Sequence, residues 1–234
     1  MTERLIVVGR AGSGKSYLLD TMMAVRSWDY TVFVDTQDAY PGRSVPAEEF
    51  NIQRLKDEKN IFIKVNREFD MEKWYFEFFD TIKKERSTGW TNDVMLVVEE
   101  TGSWVHHHSA NSAFFKELML RSRRYHSCAC VFHHIRQVPP VEAASATKWV
   151  VFSLAWNKKD VEYVREHMPE LEEYIEEIQK PENKHHFVVF DVPSRQCHMM
   201  TPVGAEPVTP KEPEHKEEET VEDIDNSEED IDKE

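Results

Sequence analysis

Residues 9–16 read G-R-A-G-S-G-K-S, two glycines bracketing four residues and followed at once by a lysine and a serine. Glycines in such a loop let successive backbone N–H groups converge on the oxygens of a phosphate, and a helix starting at the end of the loop adds its positive dipole. Lys15 then has the reach for the β- and γ-phosphates of a nucleoside triphosphate, and the Ser16 hydroxyl can ligate the accompanying Mg2+. The expected ligands are ATP or GTP with Mg2+, held by Gly9, Arg10, Ala11, Gly12, Ser13, Gly14, Lys15, Ser16 and Tyr17. Splitting a triphosphate also needs carboxylates beside the loop, to complete the metal sphere and to take a proton from the attacking water. Glu99 and Glu100 close an apolar run and fit those two roles: Glu99 with Ser16 on the metal, Glu100 as the general base. Aspartate is the usual residue at the first of these positions. The extra methylene of Glu99 alters its reach by about a bond length, so a water-mediated contact is expected.

The elements that must position these groups can be read from hydropathy. Residues 4–8 form an apolar run that enters the glycine loop, and 15–25 have helical apolar spacing, giving strand, loop and helix in succession. Residues 31–35 and 60–65 are further β-rich runs, and 70–86 read as an amphipathic helix carrying Trp74, Tyr75, Phe76, Phe78 and Phe79. Aromatics at that spacing belong to a core more often than to a base-stacking surface. Residues 94–98 are continuously apolar, as a strand buried on both faces should be, and they end at Glu99; a strand end in a parallel sheet delivers side chains to the crevice where ligands bind. A helix over 111–124, strands over 128–132 and 149–154, an acidic helix over 161–179 broken at Pro169, and a strand pair over 186–191 and 196–200 turned at Pro193-Ser194 complete the pattern. Alternating strands and helices call for an α/β fold with a mainly parallel central sheet and helices on both faces. Residues 1–201 make one domain. Beyond them four prolines lead into an acidic run without aromatics, so residues 202–234 are expected to be a disordered tail.

The net charge of −15 is concentrated in that tail: residues 205–234 hold fourteen acidic side chains against three lysines, leaving about −4 for the first 204. Local basic patches are therefore compatible with the total, and Lys83, Lys84 and Arg86 form one, Lys158 and Lys159 another. Cys128, Cys130 and Cys197 cannot all pair with one another, and the first two share a strand face as small hydrophobes. His106, His107 and His108 are consecutive and cannot all face one ion on regular structure, so a polar loop is expected there instead of a metal site. No stretch approaches the roughly 20 apolar residues of a membrane span, and a soluble protein is expected.

Downstream, the basic cluster Arg121, Arg123 and Arg124 precedes the strand at 128–132, which ends in His133-His134 and the Pro-containing segment to Pro140; a strand at 149–154 follows, then Asn157 and Asp160. With the glycine loop, this order resembles the FtsK/HerA family of P-loop motor ATPases over roughly residues 4–165, and among them the genome-packaging ATPases of icosahedral viruses with an internal membrane. The resemblance implies a RecA-like P-loop ATPase that moves double-stranded DNA into a capsid. It also implies a homo-oligomeric ring, taken as a hexamer, with a capsid or portal-vertex protein as a further partner and a location in the host cytoplasm or the virion. His134 falls where the family usually has a glutamine that senses the γ-phosphate, with Gln137 the alternative if the register slips by three. Among Arg121, Arg123 and Arg124, the resemblance favours Arg124 as the arginine supplied to a neighbouring subunit's nucleotide. Two other readings share the loop: a nucleotide-dependent assembly or secretion factor, and a small kinase.

Overall fold

A computed structural model describes residues 2–24, 28–36, 44–66, 68–107, 113–154 and 158–201. Nine strands form one sheet: β1 (Arg4–Val8), β2 (Tyr30–Asp35), β3 (Ser44–Pro46), β4 (Asn60–Lys64), β5 (Val94–Val98), β6 (Ser127–Phe132), β7 (Lys148–Phe152), β8 (Phe187–Asp191) and β9 (Gln196–Met200). Their order is β3-β4-β2-β5-β6-β1-β7-β8-β9, parallel from β3 through β7 and antiparallel over the last two pairings. The central strands β1, β5 and β6 are buried along their whole length, the pattern a parallel sheet covered on both faces demands. Edge strand β9 instead alternates toward solvent.

Strand periodicity divides the core in two. Ile6 and Val8 face one side of the sheet, with Val32, Leu96 and Cys130, while Leu5 and Val7 face the other, with Phe33, Val97 and Val131. The second face is packed by Leu18 and Leu19 of α1 (Lys15–Ala24). The first takes the aromatic side of the longest helix, from Met71 to Ser87, whose Trp74, Tyr75, Phe78 and Phe79 are buried as expected. Asp70 caps that helix, accepting from the Lys73 amide at 2.9 Å.

Three features differ from the sequence-based expectations. An edge strand, β3, and a helix, α2 (Ile52–Glu58), lie in a stretch with no periodic signal; α2 is capped by Asn51 and α3 is the helix Met71–Ser87. A helix α4 (Thr101–His107) holds His106 and His107 at its end in place of a loop, while His108 lies outside the described residues. The helix expected over 111–124 starts as α5 (Ala113–Lys116), widens to a π turn (Glu117–Arg121) and tightens to a 3-10 turn (Ser122–Arg124). Its cause is competition for carbonyls: the Ser122 hydroxyl donates to Leu118 O at 2.5 Å, and Arg4 Nε donates to Met119 O at 3.3 Å. Further on come α6 (Pro140–Ala143), α7 (Lys158–His167) and α8 (Glu172–Ile178), with Pro169 starting the short turn between the last two. Residues 202–234, the expected tail, lie outside the described residues. Among those described, no helix is long and apolar enough to cross a membrane.

Candidate nucleotide site

The loop after β1 is tied to its neighbours before the helix begins. Gly9 N donates to Phe132 O at the end of β6 (3.2 Å), and Arg10 N donates to Ser153 O just beyond β7 (3.0 Å). β1 lies between those two strands, so the loop emerges at the carboxyl end of the sheet, over its centre. Two of the three loop glycines have conformations that side chains resist: φ is 71° at Gly12 and 105° at Gly14. Gly9 is required by space, because a Cβ there would sit 2.6 Å from Phe152 Cβ and 2.9 Å from Ser13 Oγ.

The Lys15 ammonium arches over the loop, donating to Gly9 O at 2.6 Å and Arg10 O at 3.0 Å. Burial lowers its pKa to about 8, against the opposing pull of Glu99 and Glu100. Ser16 Oγ donates to Glu99 Oε1 at 3.1 Å, so the two groups expected to share a magnesium ion already meet at one point. Burial pushes Glu99 up to about 7; the Ser16 hydrogen bond opposes the shift, and the charges of Asp35 and Glu100 add to it. A hydroxyl beside a carboxylate, all oxygen and next to a lysine-bearing glycine loop, fits Mg2+ in the company of phosphates. When bound, the ion would offset negative charge on Glu99 and on phosphate oxygens alike.

Glu100 follows Glu99 with φ 47°, a left-handed conformation that costs a non-glycine residue about 1–2 kcal/mol. The surrounding turn enforces it. Thr101 Oγ1 donates to Val98 O (2.8 Å) and accepts from Val131 N (3.1 Å), and Ser103 N donates to Glu100 O (2.8 Å). The result separates the two carboxylates. Glu99 faces Ser16, while Glu100 lies between Thr36 Oγ1 at 3.4 Å and His133 Nε2 at 3.3 Å.

Of the two histidines that close β6, it is His133 that meets Glu100. His134 turns away, its Nδ1 3.0 Å from Oδ2 of the fully buried Asp160 on α7. Arg136 Nε lies 3.7 Å from the other Asp160 oxygen. Gln137 accepts from the His134 amide at 3.0 Å and fills the space beside Gly102, where a Cβ would meet its Oε1 at 2.9 Å. Arg121, Arg123 and Arg124 are exposed at the amino end of β6, the opposite end from their own phosphate loop. Tyr17 is 61% exposed on the first turn of α1.

Thr36, Asp35 and His185 were not singled out by sequence. Thr36 and Asp35 stand at the end of β2, which contacts Glu99 only because β2 and β5 are neighbours, and His185 lies against the loop with Nδ1 3.4 Å from Ser13 O. Strand order, which hydropathy does not give, is the missing signal for the first two. His185 is separated from the loop by 172 positions and has no motif around it.

No protein-family model matches the chain, and no curated protein does. Solved structures do. The genome packaging NTPase B204 from Sulfolobus turreted icosahedral virus 2 in complex with ATP-gammaS superposes with a TM-score of 0.66 at 15% identity, over 86% of this chain and 98% of that one. B204, the DNA-packaging ATPase from Sulfolobus turreted icosahedral virus, superposes with a TM-score of 0.64 at 15% identity and the same coverage. The fold is that of a P-loop NTPase. Within it the glycine loop, Glu99 and Glu100 occupy the carboxyl ends of adjacent parallel elements, the place where a P-loop NTPase fold gathers its ligand contacts.

Proposed function

We propose that the chain is an ATP-hydrolysing, DNA-translocating motor that packages double-stranded viral DNA into a capsid. The observation that carries the hydrolytic part is the division of labour between two adjacent carboxylates, Glu99 on Ser16 and Glu100 between Thr36 and His133. Backbone N–H groups of the loop and the Lys15 ammonium bind the β- and γ-phosphates, and Ser16 with Glu99 would hold Mg2+. Glu100 accepts a proton from a water that attacks the γ-phosphorus, the bond to the β–γ bridging oxygen breaks, and ADP and inorganic phosphate are the products. His133 fixes the direction of the Glu100 carboxylate. In this reading His134 acts one step removed, through Asp160, on the segment that follows β6.

Support for the cargo comes from the superposition on packaging ATPases, over 86% of this chain and 98% of those. The subunits act as a ring, a hexamer in the simplest arrangement, with Arg124 directed at the neighbouring nucleotide. The ring works in the host cytoplasm or at the virion and meets a capsid or portal-vertex protein there. The test is steady-state ATP hydrolysis with and without duplex DNA at low salt. Stimulation by DNA is the expected result. Hydrolysis indifferent to DNA would remove the cargo and favour an assembly factor, and phosphate transfer to a small acceptor would favour a kinase.

A further inference from the structure

The pole of the sheet opposite the nucleotide site gathers cations that the sequence keeps apart. α3 ends there with Lys83 and Lys84 exposed on its last turns, and the 3-10 turn before β6 ends there with Arg123 and Arg124 exposed. Arg86 joins the two segments, donating to Tyr125 O through Nη2 at 2.9 Å and through Nε at 3.2 Å. Phe79 packs edge-on against the Tyr125 ring, 5.2 Å between centroids. The turn is held from beneath as well. The buried Arg4 guanidinium donates to His126 O (3.1 Å), Met119 O (3.3 Å) and Ser122 Oγ (3.1 Å), and His126 Nε2 meets the Tyr75 hydroxyl at 3.3 Å.

Of the carboxylates near this pole, Glu85 pairs with Lys56, Glu117 with Arg121 and Glu3 with Lys148, while Asp80 stands one turn before Lys83 and Lys84 on α3 and Asp29 accepts from the Asp93 amide just before β5. Among the described residues, no ion pair joins Lys83, Lys84, Arg123 or Arg124 to an acid. A helix dipole accounts for cationic residues near the end of α3, and Arg86, bound to carbonyls, fills that role. It does not account for four further unpaired cations on two separate segments. In a chain of net charge −15, a polyanion can approach only where the local field is reversed.

We propose that Lys83, Lys84 and Arg123 form a rigid, sequence-indifferent docking surface for the phosphodiester backbone of duplex DNA, beside the Arg124 assigned to a neighbouring nucleotide. This rests on the motor reading and gives that motor its DNA contact. The surface has a mechanical address: β5 and β6 begin at it and end at Glu99, Glu100 and His133. A displacement of the catalytic turn would reach it along two buried strands.

The experiment measures affinity for a short duplex oligonucleotide across a salt series, in the full chain and in Lys83→Gln/Lys84→Gln, with ATP hydrolysis in the absence of DNA measured alongside. Each lost phosphate contact lowers the salt slope by about 0.9, so the double variant should bind roughly tenfold or more weakly at about 0.1 M salt, with a slope lower by about 1.8. DNA-free hydrolysis and melting temperature should be unchanged. A wild-type chain that binds no DNA would sink the motor reading itself. Wild-type binding that the variant retains with the same slope would place the DNA elsewhere and overturn this surface alone. DNA-free hydrolysis that collapses in the variant while DNA affinity stays intact would assign the patch to a neighbouring subunit's nucleotide, and would overturn it too.

Discussion

His133 and His134 are adjacent, yet the structure gives them different work, and single substitutions should separate them. His133 Nε2 lies 3.3 Å from Glu100 Oε1, so His133→Ala should lower kcat about tenfold while leaving nucleotide affinity intact. His133→Asn, which keeps a donor near the carboxylate, should recover part of the rate. His134 instead meets a carboxylate that is fully buried and has one oxygen without a hydrogen bond. Removing its imidazole should therefore destabilise the fold by about 2–4 kcal/mol, with kcat per folded molecule changed less than in His133→Ala. Urea titration of both variants beside their kinetics checks the pair. Equal stability losses with equal kinetic losses would contradict the separation.

At the scale of elements, the helix α3 and the strand β6 meet over His126, which is fully buried. Its Nδ1 donates to Ser127 O, since a carbonyl can only accept, and Nε2 accepts from Tyr75. Burial lowers its pKa to about 3. A folded-state pKa below the unfolded value of about 6.5 means no pH dependence from this group above that value. Below it the unfolded chain binds a proton that the folded chain refuses. Stability should fall by about 1.4 kcal/mol per pH unit, down to the folded pKa. Denaturation midpoints of wild type and His126→Gln between pH 7 and about 4 should diverge as acid is added, the variant losing less; parallel curves would contradict this. That role was not visible in the sequence, because nothing local marks His126 as different from His133. By contrast, the loop, α1 and the strands β1, β5 and β6 were legible, since continuous apolar runs and a glycine spacing are local signals. β3 and α2 were not, being short and set by packing on β4 and, for α2, on β2 as well. The π turn also escaped, because Arg4, more than a hundred positions away, takes a carbonyl from it. Glu99 and Glu100 could be placed at a strand end, but only strand order showed Thr36 beside them.

At the scale of the whole molecule, charge is divided between a mildly acidic sheet domain and residues 205–234, which carry −11 of the −15. Deleting 205–234 should strengthen association with duplex DNA at low salt by removing like-charge repulsion, with the gain fading as salt is raised. Gel-shift or anisotropy titrations at two salt concentrations test this, and unchanged or weaker binding at low salt would contradict it. The nucleotide site and the basic pole lie at opposite ends of the same parallel strands, so one rigid body can register a change at either. The proposed hydrolysis depends above all on Glu100 acting as the base of the site. The most direct test is to measure ATP binding and phosphate release on matched preparations of wild type and Glu100→Gln. Equal affinity and a rate lower by about 10²–10⁴ are expected in the variant. Phosphate release that survives the substitution, or a wild type that binds ATP and releases none, would contradict it.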